Sequence, residues 1–318
     1  MAPATITIQR EFISVRRVYQ CSEHTGPFYS GAFYTIAVHP VGSPRHIGII
    51  HPGQMGIVVA VSARNSGNQV YWTSEGRSAA TRQRASQAGL EDTGTLAKLC
   101  ELCPVIVSIC PPEFAEAAAE QVARLSYRGT YVDANAIAPG RVQRIAGRLE
   151  EGGARFVDGG IIGPPATTRN RTCLYLAGEH AVEIAPLFSA GPIEVEVLAG
   201  GVGQASALKM CFAAYSKGSI ALACSVLAAA QQLDVLQDLK RQWARSGPSL
   251  AELENEISRA APKAWRFTGE MHEIAATFEG AGLPPDFHRA AAEIFRRLGQ
   301  FKDGAAPGLN DVLGTLLK

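Results

Sequence analysis

The sequence predicts an α/β fold: an N-terminal doubly wound, mainly parallel sheet, followed by an all-α C-terminal domain. Between His46 and Val197, short apolar runs of strand length alternate with helical segments, the pattern of successive βαβ units. After the Gly200-Gly201 break the strand signal stops, and helical segments separated by Gly-Pro or Pro-Pro pairs follow. The 318 residues suit about two domains, because single cores usually stop growing at about 250–300 residues.

His46–Ile50 is a short apolar run ending in a glycine-containing turn, and Met55–Ala63 reads as an apolar helix. Val70–Trp72 is the next strand, residues 78–88 a polar helix, Leu96–Leu102 a short helix and Val105–Ile109 a buried strand. The Pro111-Pro112 pair opens a helix over 113–125, because proline is tolerated in a first turn. Strands at Thr130–Asp133 and Arg155–Asp158 flank a helix at 139–151, and a strand at 193–197 closes the series. Right-handed crossovers place these helices on both faces of the sheet. Beyond the glycine pair, 202 to about 233 is one long Ala-rich helix, followed by helices at 249–260, 263–279 and 285–300. The expected boundaries are an extension over 1–44, a dinucleotide-binding domain over 45–198 and a helical substrate and dimerisation domain over 199–318. The extension has frequent aromatics and holds Arg10, Arg16 and Arg17 against the acids Glu11 and Glu23. That suits a loosely ordered segment better than a targeting peptide.

Composition narrows the function classes. Apolar residues make up 47% and charged residues 19%, enough for a sizeable core. Thirty basic against 29 acidic side chains give a net charge of +1, so no charge excess drives binding to nucleic acid or membrane. No uninterrupted apolar run reaches 18 residues, so no spanning helix is predicted. Seven cysteines are too few and too odd a number for a disulfide framework, which suits a reducing, cytoplasmic setting.

The segment His51-Pro52-Gly53-Gln54-Met55-Gly56 lies between the first strand and the first helix, where a dinucleotide pyrophosphate meets a helix N-terminus. Gly53 and Gly56 occupy the second and third positions of the three-glycine fingerprint, and His51 takes the first. A Rossmann-like unit follows from this strand–turn–helix context. The second strand ends in Thr73-Ser74-Glu75-Gly76-Arg77-Ser78, with no acid at the first position to bind a ribose 2′-hydroxyl. Ser74, Arg77 and Ser78 could hold a 2′-phosphate, with Arg82 or Arg84 nearby, while Glu75 argues the other way. NADP(H) is therefore favoured over NAD(H). Cys110 and Pro111, after the strand at 105–109, complete the expected cofactor contacts.

These residues resemble the β-hydroxyacid dehydrogenase superfamily, which includes 3-hydroxyisobutyrate and 6-phosphogluconate dehydrogenases. The turn at 51–56 resembles its Gly-x-Gly-x-Met-Gly. Asp133-Ala-Asn-Ala-Ile-Ala-Pro139 resembles its Asp-x-Ser-Thr-x-x-Pro, and Phe156-Val-Asp-Gly-Gly-Ile-Ile-Gly163 its Phe-x-Asp-Ala-Pro-Val-Ser-Gly. Gly203-Gln-Ala-Ser-Ala-Leu-Lys209 resembles the helix start that carries its catalytic lysine. The chain also looks like a poorly characterised subgroup with its own C-terminal helical domain, marked by Ala261-Pro-Lys-Ala-Trp265 and Phe287-His-Arg-Ala-Ala-Ala292. The resemblance implies Lys209 as general acid–base and a substrate wall of Asn135, Ala136, Ile162, Gly163, Phe212 and Ser216. Here the sequence departs from the family: Ile162-Gly163-Pro164 brings neither the hydroxyl nor all the N–H groups of the usual Ser-Gly-Gly anion nest. Asn170, Arg169 or Arg171 could restore an anion contact, although such a run is more often a solvated loop.

Lys209 also stands out on physical grounds. It lies in an Ala-, Leu- and Met-rich helix just past the domain break, where desolvation lowers an amine's pKa toward neutrality. Lys217, the competitor, is eight residues on, about 12 Å along the helix axis. Cys100-Glu-Leu-Cys103 lacks a second ligand pair and reads as buried thiols, and His272 and His288 make no two-histidine pattern, so no metal is expected. Trp243, Trp265, Phe267, Phe278 and Phe295 are too many for one helical domain to cover, which predicts a homodimer. The expected activity is hydride transfer to or from a small hydroxy or oxo compound. Imine reduction on the same fold, or a catalytically silent dinucleotide-binding protein, are the alternatives.

Overall fold

The computed structural model describes residues 45–318 apart from 167 and 170, together with two short strands, β1 (Val15–Arg16) and β2 (Thr35–Ile36), paired antiparallel. The rest of the expected extension over 1–44 lies outside the described residues, as does Asn170. The chain forms two compact units. The first comprises 1–110, 115–135 and 142–206, and the second 111–114, 136–141 and 207–318.

The first unit is built on one eight-stranded sheet. Its strands are β3 (His46–Ile49), β4 (Gln69–Trp72), β5 (Glu91–Asp92), β6 (Val105–Ser108), β7 (Thr130–Asp133), β8 (Arg155–Ile162), β9 (Cys173–Ala177) and β10 (Glu194–Val197). They lie in the order β10-β9-β8-β7-β6-β3-β4-β5. Every neighbouring pair is parallel except β8 with β9. The helices between strands are α1 (Gln54–Asn65), α2 (Ala79–Gln87), α3 (Leu96–Leu102), α4 (Ala115–Arg124), α5 (Pro139–Glu150) and α6 (Ala181–Ile184). β6 and β7 are buried along their whole length, as parallel strands covered on both faces must be. The run from β3 to β8 has the doubly wound order, with β4 and β5 on one side of β3 and β6 to β8 on the other. The predicted fold class is the observed one.

Several local expectations change. β8 continues through Gly159-Gly160 to Ile162 instead of ending at Asp158. The glycines signal close approach and not a break: a Cβ on Gly159 would lie 3.0 Å from the Asp133 carbonyl oxygen. β9, which the sequence reading left out, adds to β8 antiparallel, so the sheet is mixed at this end. Pro112–Phe114 forms a 3₁₀ turn, and α4 begins at Ala115 rather than at residue 113.

The second unit is helical: α7 (Gln204–Gln232, entering this unit at Ala207), α8 (Leu236–Ser246), α9 (Leu250–Ala260), α10 (Ala264–Gly280), α11 (Asp286–Arg297) and α12 (Leu309–Leu316). α8 and α12 were not anticipated. Met210, Ala213, Leu227, Ile257, Met271, Ile274, Phe295 and Leu313 form its core. The aromatic residues expected to need a second chain are largely covered from within. Phe295 is fully buried with Phe267 edge-on to it at 5.2 Å, and Phe278 and Trp243 pack on the same core. The large apolar side chains left exposed on α7 are Leu208, Phe212, Tyr215 and Leu222. α7 is also long and apolar enough, by length and composition, to cross a membrane. Lys209 and Lys217 divide its apolar residues, so no uninterrupted run in it reaches the spanning length. Of its most apolar 18-residue window, 44% is buried against the rest of the chain.

The start of α7 is held by a buried carboxylate. Asp158, on β8, accepts hydrogen bonds at Oδ2 from the backbone N–H groups of Gly203 (2.9 Å), Ala205 (2.8 Å) and Ser206 (3.1 Å). Its Oδ1 accepts from the Ser206 hydroxyl at 2.6 Å. The first turn of a helix leaves N–H groups without intrahelical partners, and an anion there also meets the positive end of the helix dipole. Asp158→Asn turns an amide NH₂ toward these donors and should destabilise the protein by about 2–4 kcal/mol. Urea unfolding of the two proteins measures the difference; a loss below about 0.5 kcal/mol would contradict the anchoring role.

Candidate active site

In the first unit, the turns after β3, β4, β6 and β7 stand at the carboxyl ends of four adjacent parallel strands. Strand order reverses at β3, the place where open α/β sheets bind ligands. Gly53 is the N-cap of α1 in extended conformation, and the first turn carries no side-chain cap and no acid. That leaves a helix N-terminus suited to an anion. A Cβ added to Gly56 would lie 2.3 Å from the His51 carbonyl oxygen, so the turn closes this tightly only on glycine. A Cβ on Gly53 would meet nothing within 4 Å, leaving the backbone there open to approach.

His51 replaces a glycine with a ring whose Nδ1 is buried without a hydrogen-bond partner. Burial, and then the charge of Arg77, push its pKa down to about 4, so the ring is neutral near pH 7. The Nε of Arg77 is likewise buried and unpartnered, and burial lowers its pKa. Cys110 lies close enough for its sulfur to act on the same guanidinium. Of the three residues expected as cofactor contacts from separate turns, Arg77 is thus within electrostatic reach of both His51 and Cys110. Pro52, Gln54 and Met55 flank Gly53 in the same turn.

Thr73 and Ser74 are committed to the loop itself. The Thr73 hydroxyl donates to the Gly94 carbonyl at 2.9 Å, and the Ser74 N–H donates to Asp92 Oδ1 at 3.0 Å. Asp92 also accepts from the Gly94 N–H at 2.8 Å, so its carboxylate is used in shaping the turn. Arg82 donates to the Ser74 carbonyl at 2.8 Å, and Ser78 caps α2 by accepting from Thr81 N–H. Arg77 remains the loop side chain with a buried, unanswered donor.

Asn135 is buried and its amide braces the turn after β6. Its Oδ1 accepts from the Cys110 N–H at 2.6 Å, and its Nδ2 reaches Ser108 Oγ at 3.2 Å. The amide expected to contact substrate thus also positions the strand end that leads into Pro111. Ile162 ends β8, and Gly163 has φ +124°, where a Cβ would lie 2.2 Å from the Arg171 carbonyl oxygen. Arg169 donates to the Ser189 carbonyl at 3.2 Å.

In the second unit, Ala136 packs against the helical core. On α7, Lys209 and Ser216 lie on nearly one face, seven residues apart, while Phe212 is turned outward and about half exposed. Lys209 is nearly buried and pairs with Glu270 of α10, its Nζ 3.6 Å from Oε1. Lys217 reaches the same Oε1 at 2.7 Å, so the two long side chains span the axial gap between them. Burial lowers the pKa of Lys209, and the charge of Lys217 adds to this, against the opposing pull of Glu270. Burial alone would raise the pKa of Glu270, but the two lysines outweigh it and hold the carboxyl below its ordinary value. Glu270 was missed in the sequence, although a signal exists: it is a lone acid on the apolar stripe Phe267, Met271, Ile274, Phe278. Burial pushes the Cys100 and Cys103 thiols up to about 12, and no cluster of three or more His, Cys, Asp or Glu among the described residues could hold a metal ion.

The comparisons with known proteins agree with this layout. Residues 46–190 match the NAD binding domain of 6-phosphogluconate dehydrogenase, and residues 230–298 match a domain of unknown function. A conserved protein of unknown function, whose solved structure is described as similar to 3-hydroxyacid dehydrogenases, is 28% identical. That match covers 80% of this chain and 97% of the other, with a TM-score of 0.61. The 3-hydroxyisobutyrate dehydrogenase of Mycobacterium tuberculosis shares the fold at 15% identity, covering 86% of this chain and 100% of that one, with a TM-score of 0.65. An uncharacterised 28.5 kDa protein of Methanothermus fervidus is 27% identical over 165 residues, 52% of this chain and 63% of that protein's length. The glycine turn at a sheet switch point, the nucleotide-binding match and the helical C-terminal half support the resemblance to the β-hydroxyacid dehydrogenase superfamily.

Proposed function

We propose that this protein is an NADP(H)-dependent oxidoreductase acting on a small hydroxy or oxo compound, with Lys209 as general acid–base. The observation that supports it most strongly is the pair of buried, unpartnered nitrogens, His51 Nδ1 and Arg77 Nε, beside the uncapped start of α1. Buried donors and acceptors are almost always satisfied, so an orphaned pair beside a phosphate-type helix start points to a bound anionic group. Gly53, Gln54 and Met55 would hold the pyrophosphate and Arg77 the 2′-phosphate. Asp92 is committed to backbone N–H groups, which weakens the case for a ribose-binding acid and favours NADP(H).

The bound nicotinamide supplies or accepts the hydride. The chain must then give the substrate hydroxyl proton somewhere to go, and a lysine whose pKa burial lowers gives up its own proton more readily and so becomes able to accept it. A second reading, reduction of a C=N bond, is favoured by Ile162-Gly163-Pro164, where the hydroxyl of an acid-binding nest is absent. Parallel hydroxy-acid and cyclic-imine panels separate the two. The chain also forms a homodimer in this reading, because Leu208, Phe212, Tyr215 and Leu222 leave an apolar stripe exposed along α7.

Three outcomes test the proposal. NADPH should bind more tightly than NADH, and Arg77→Ala should weaken NADPH by about 10- to 100-fold while leaving NADH nearly unchanged, read by calorimetry. NADH as the better ligand would overturn the preference. Lys209→Ala should lower kcat by about 10²- to 10⁴-fold with NADPH affinity preserved, and Lys209→Arg should not restore it. Retention of more than about a tenth of wild-type kcat would pass the role to another group. Light scattering at micromolar concentration should return a dimer; a monomer would remove the assembly from the reading.

A further inference from the structure

Lys209 does not stand alone in its pocket of charge. Three ionisable side chains, Lys209 and Lys217 from α7 and Glu270 from α10, meet with each side chain only 12–16% exposed. If all three are charged, the cluster carries +1 in a place where water compensates poorly. Among the described residues, the charges that act on Lys209 are Glu270 and Lys217. One carboxylate therefore serves two ammonium groups, and it serves them unequally.

Lys217 holds the better position. Its Nζ donates to Glu270 Oε1 at 2.7 Å, and it lies 5.1 Å from the centre of the Phe267 ring, within range of a cation–π attraction. Lys209 Nζ is 3.6 Å from the same oxygen, beyond hydrogen-bond length. Loss of a proton from Lys209 leaves a neutral, hydrogen-bonded Lys217–Glu270 pair. Loss of a proton from Lys217 would take the charge from the short contact and leave only the longer one between opposite charges. The buried excess charge is relieved at least cost by the lysine that is held less well.

We propose that Glu270 and Lys217 are positioning residues for Lys209: Glu270 orients both amines, and Lys217, by occupying the shared oxygen, makes Lys209 the member of the cluster that gives up its proton. This deepens the acid–base reading of Lys209 and rests on it for its functional meaning, but the arrangement of charge can be tested without any substrate. Without Lys217, the carboxylate would close on Lys209 and hold it as a cation. Without Glu270, both ammonium groups would lie buried with no counter-charge.

The test is competitive acetylation of the full chain with acetic anhydride across a pH series, without nucleotide, with each lysine quantified by peptide mass spectrometry. In the wild type, the labelling midpoint of Lys209 should lie at least about one pH unit below the ordinary lysine value of about 10.4. Lys217→Met keeps the length and apolar stem of the side chain and should raise that midpoint by about one pH unit or more. Glu270→Gln should lower it further, so the two substitutions move the same lysine in opposite directions. A Lys209 midpoint in Lys217→Met within about 0.3 pH unit of wild type, or below it, would overturn the proposal. If either substitution prevents folding, the wild-type midpoint and the remaining variant still decide: a wild-type midpoint at the ordinary value also overturns it. Because no cofactor is present, absence of NADPH binding would count against the oxidoreductase reading alone. If a substrate is found, the acidic limb of the rate profile should shift upward in Lys217→Met, a change that loss of packing alone does not produce.

Discussion

The junction between the last long parallel strand and the longest helix depends on one buried carboxylate. Asp158 gathers three backbone N–H groups and a hydroxyl at the first turn of α7. A charge this deep is tolerable only when its acceptor sites are filled, and a helix start supplies the donors that nothing else in the backbone would satisfy. The two needs cancel. Gly159 then lets β8 pass close beside the end of β7, and the strand continues past Asp158 without breaking. The Gly200-Gly201 break and Gly203 (φ +103°) bring the chain round to meet it.

The same rule, that buried charge must be answered, organises the second unit differently. There the account does not close: one carboxylate faces two lysines, and the imbalance sits on the lysine proposed to carry protons. In the first unit, the unanswered groups include His51 Nδ1 and Arg77 Nε, at a helix start with no acid in its first turn. Structural sites such as Asp158 and Asn135 are saturated with partners. The sites proposed to work on ligands include groups left short, and a buried group without a partner is one that a bound molecule can satisfy.

Much of this was legible in the sequence, and the failures have physical causes. The doubly wound sheet followed from apolar runs alternating with helical segments, since central parallel strands such as β6 and β7 must be apolar on both faces. The nucleotide turn was readable because Gly56 has no steric alternative at 2.3 Å from a carbonyl oxygen. β9 was not readable, because a strand added antiparallel beyond the doubly wound core announces itself by neither a βαβ rhythm nor a tight turn. Glycines in β8 looked like a strand end when they marked close strand packing. The bonds of the Asn135 amide to Cys110 and Ser108 depend on the neighbouring strand end, which its motif position does not announce. Glu270 is the clearest loss: its importance comes from meeting Lys209 and Lys217 across 53 or more residues, a distance no local pattern spans.

The central claim is that a dinucleotide occupies the switch point of the sheet, at the uncapped start of α1 and against the Arg77 loop. Hydrogen exchange of the full chain, followed by mass spectrometry with and without saturating NADPH, tests this most directly. Slower exchange should appear in residues 50–57 and 73–78, whose backbone N–H groups and side chains would receive the phosphates. Exchange unchanged in both segments, with protection absent or confined to other parts of the chain, would contradict the account.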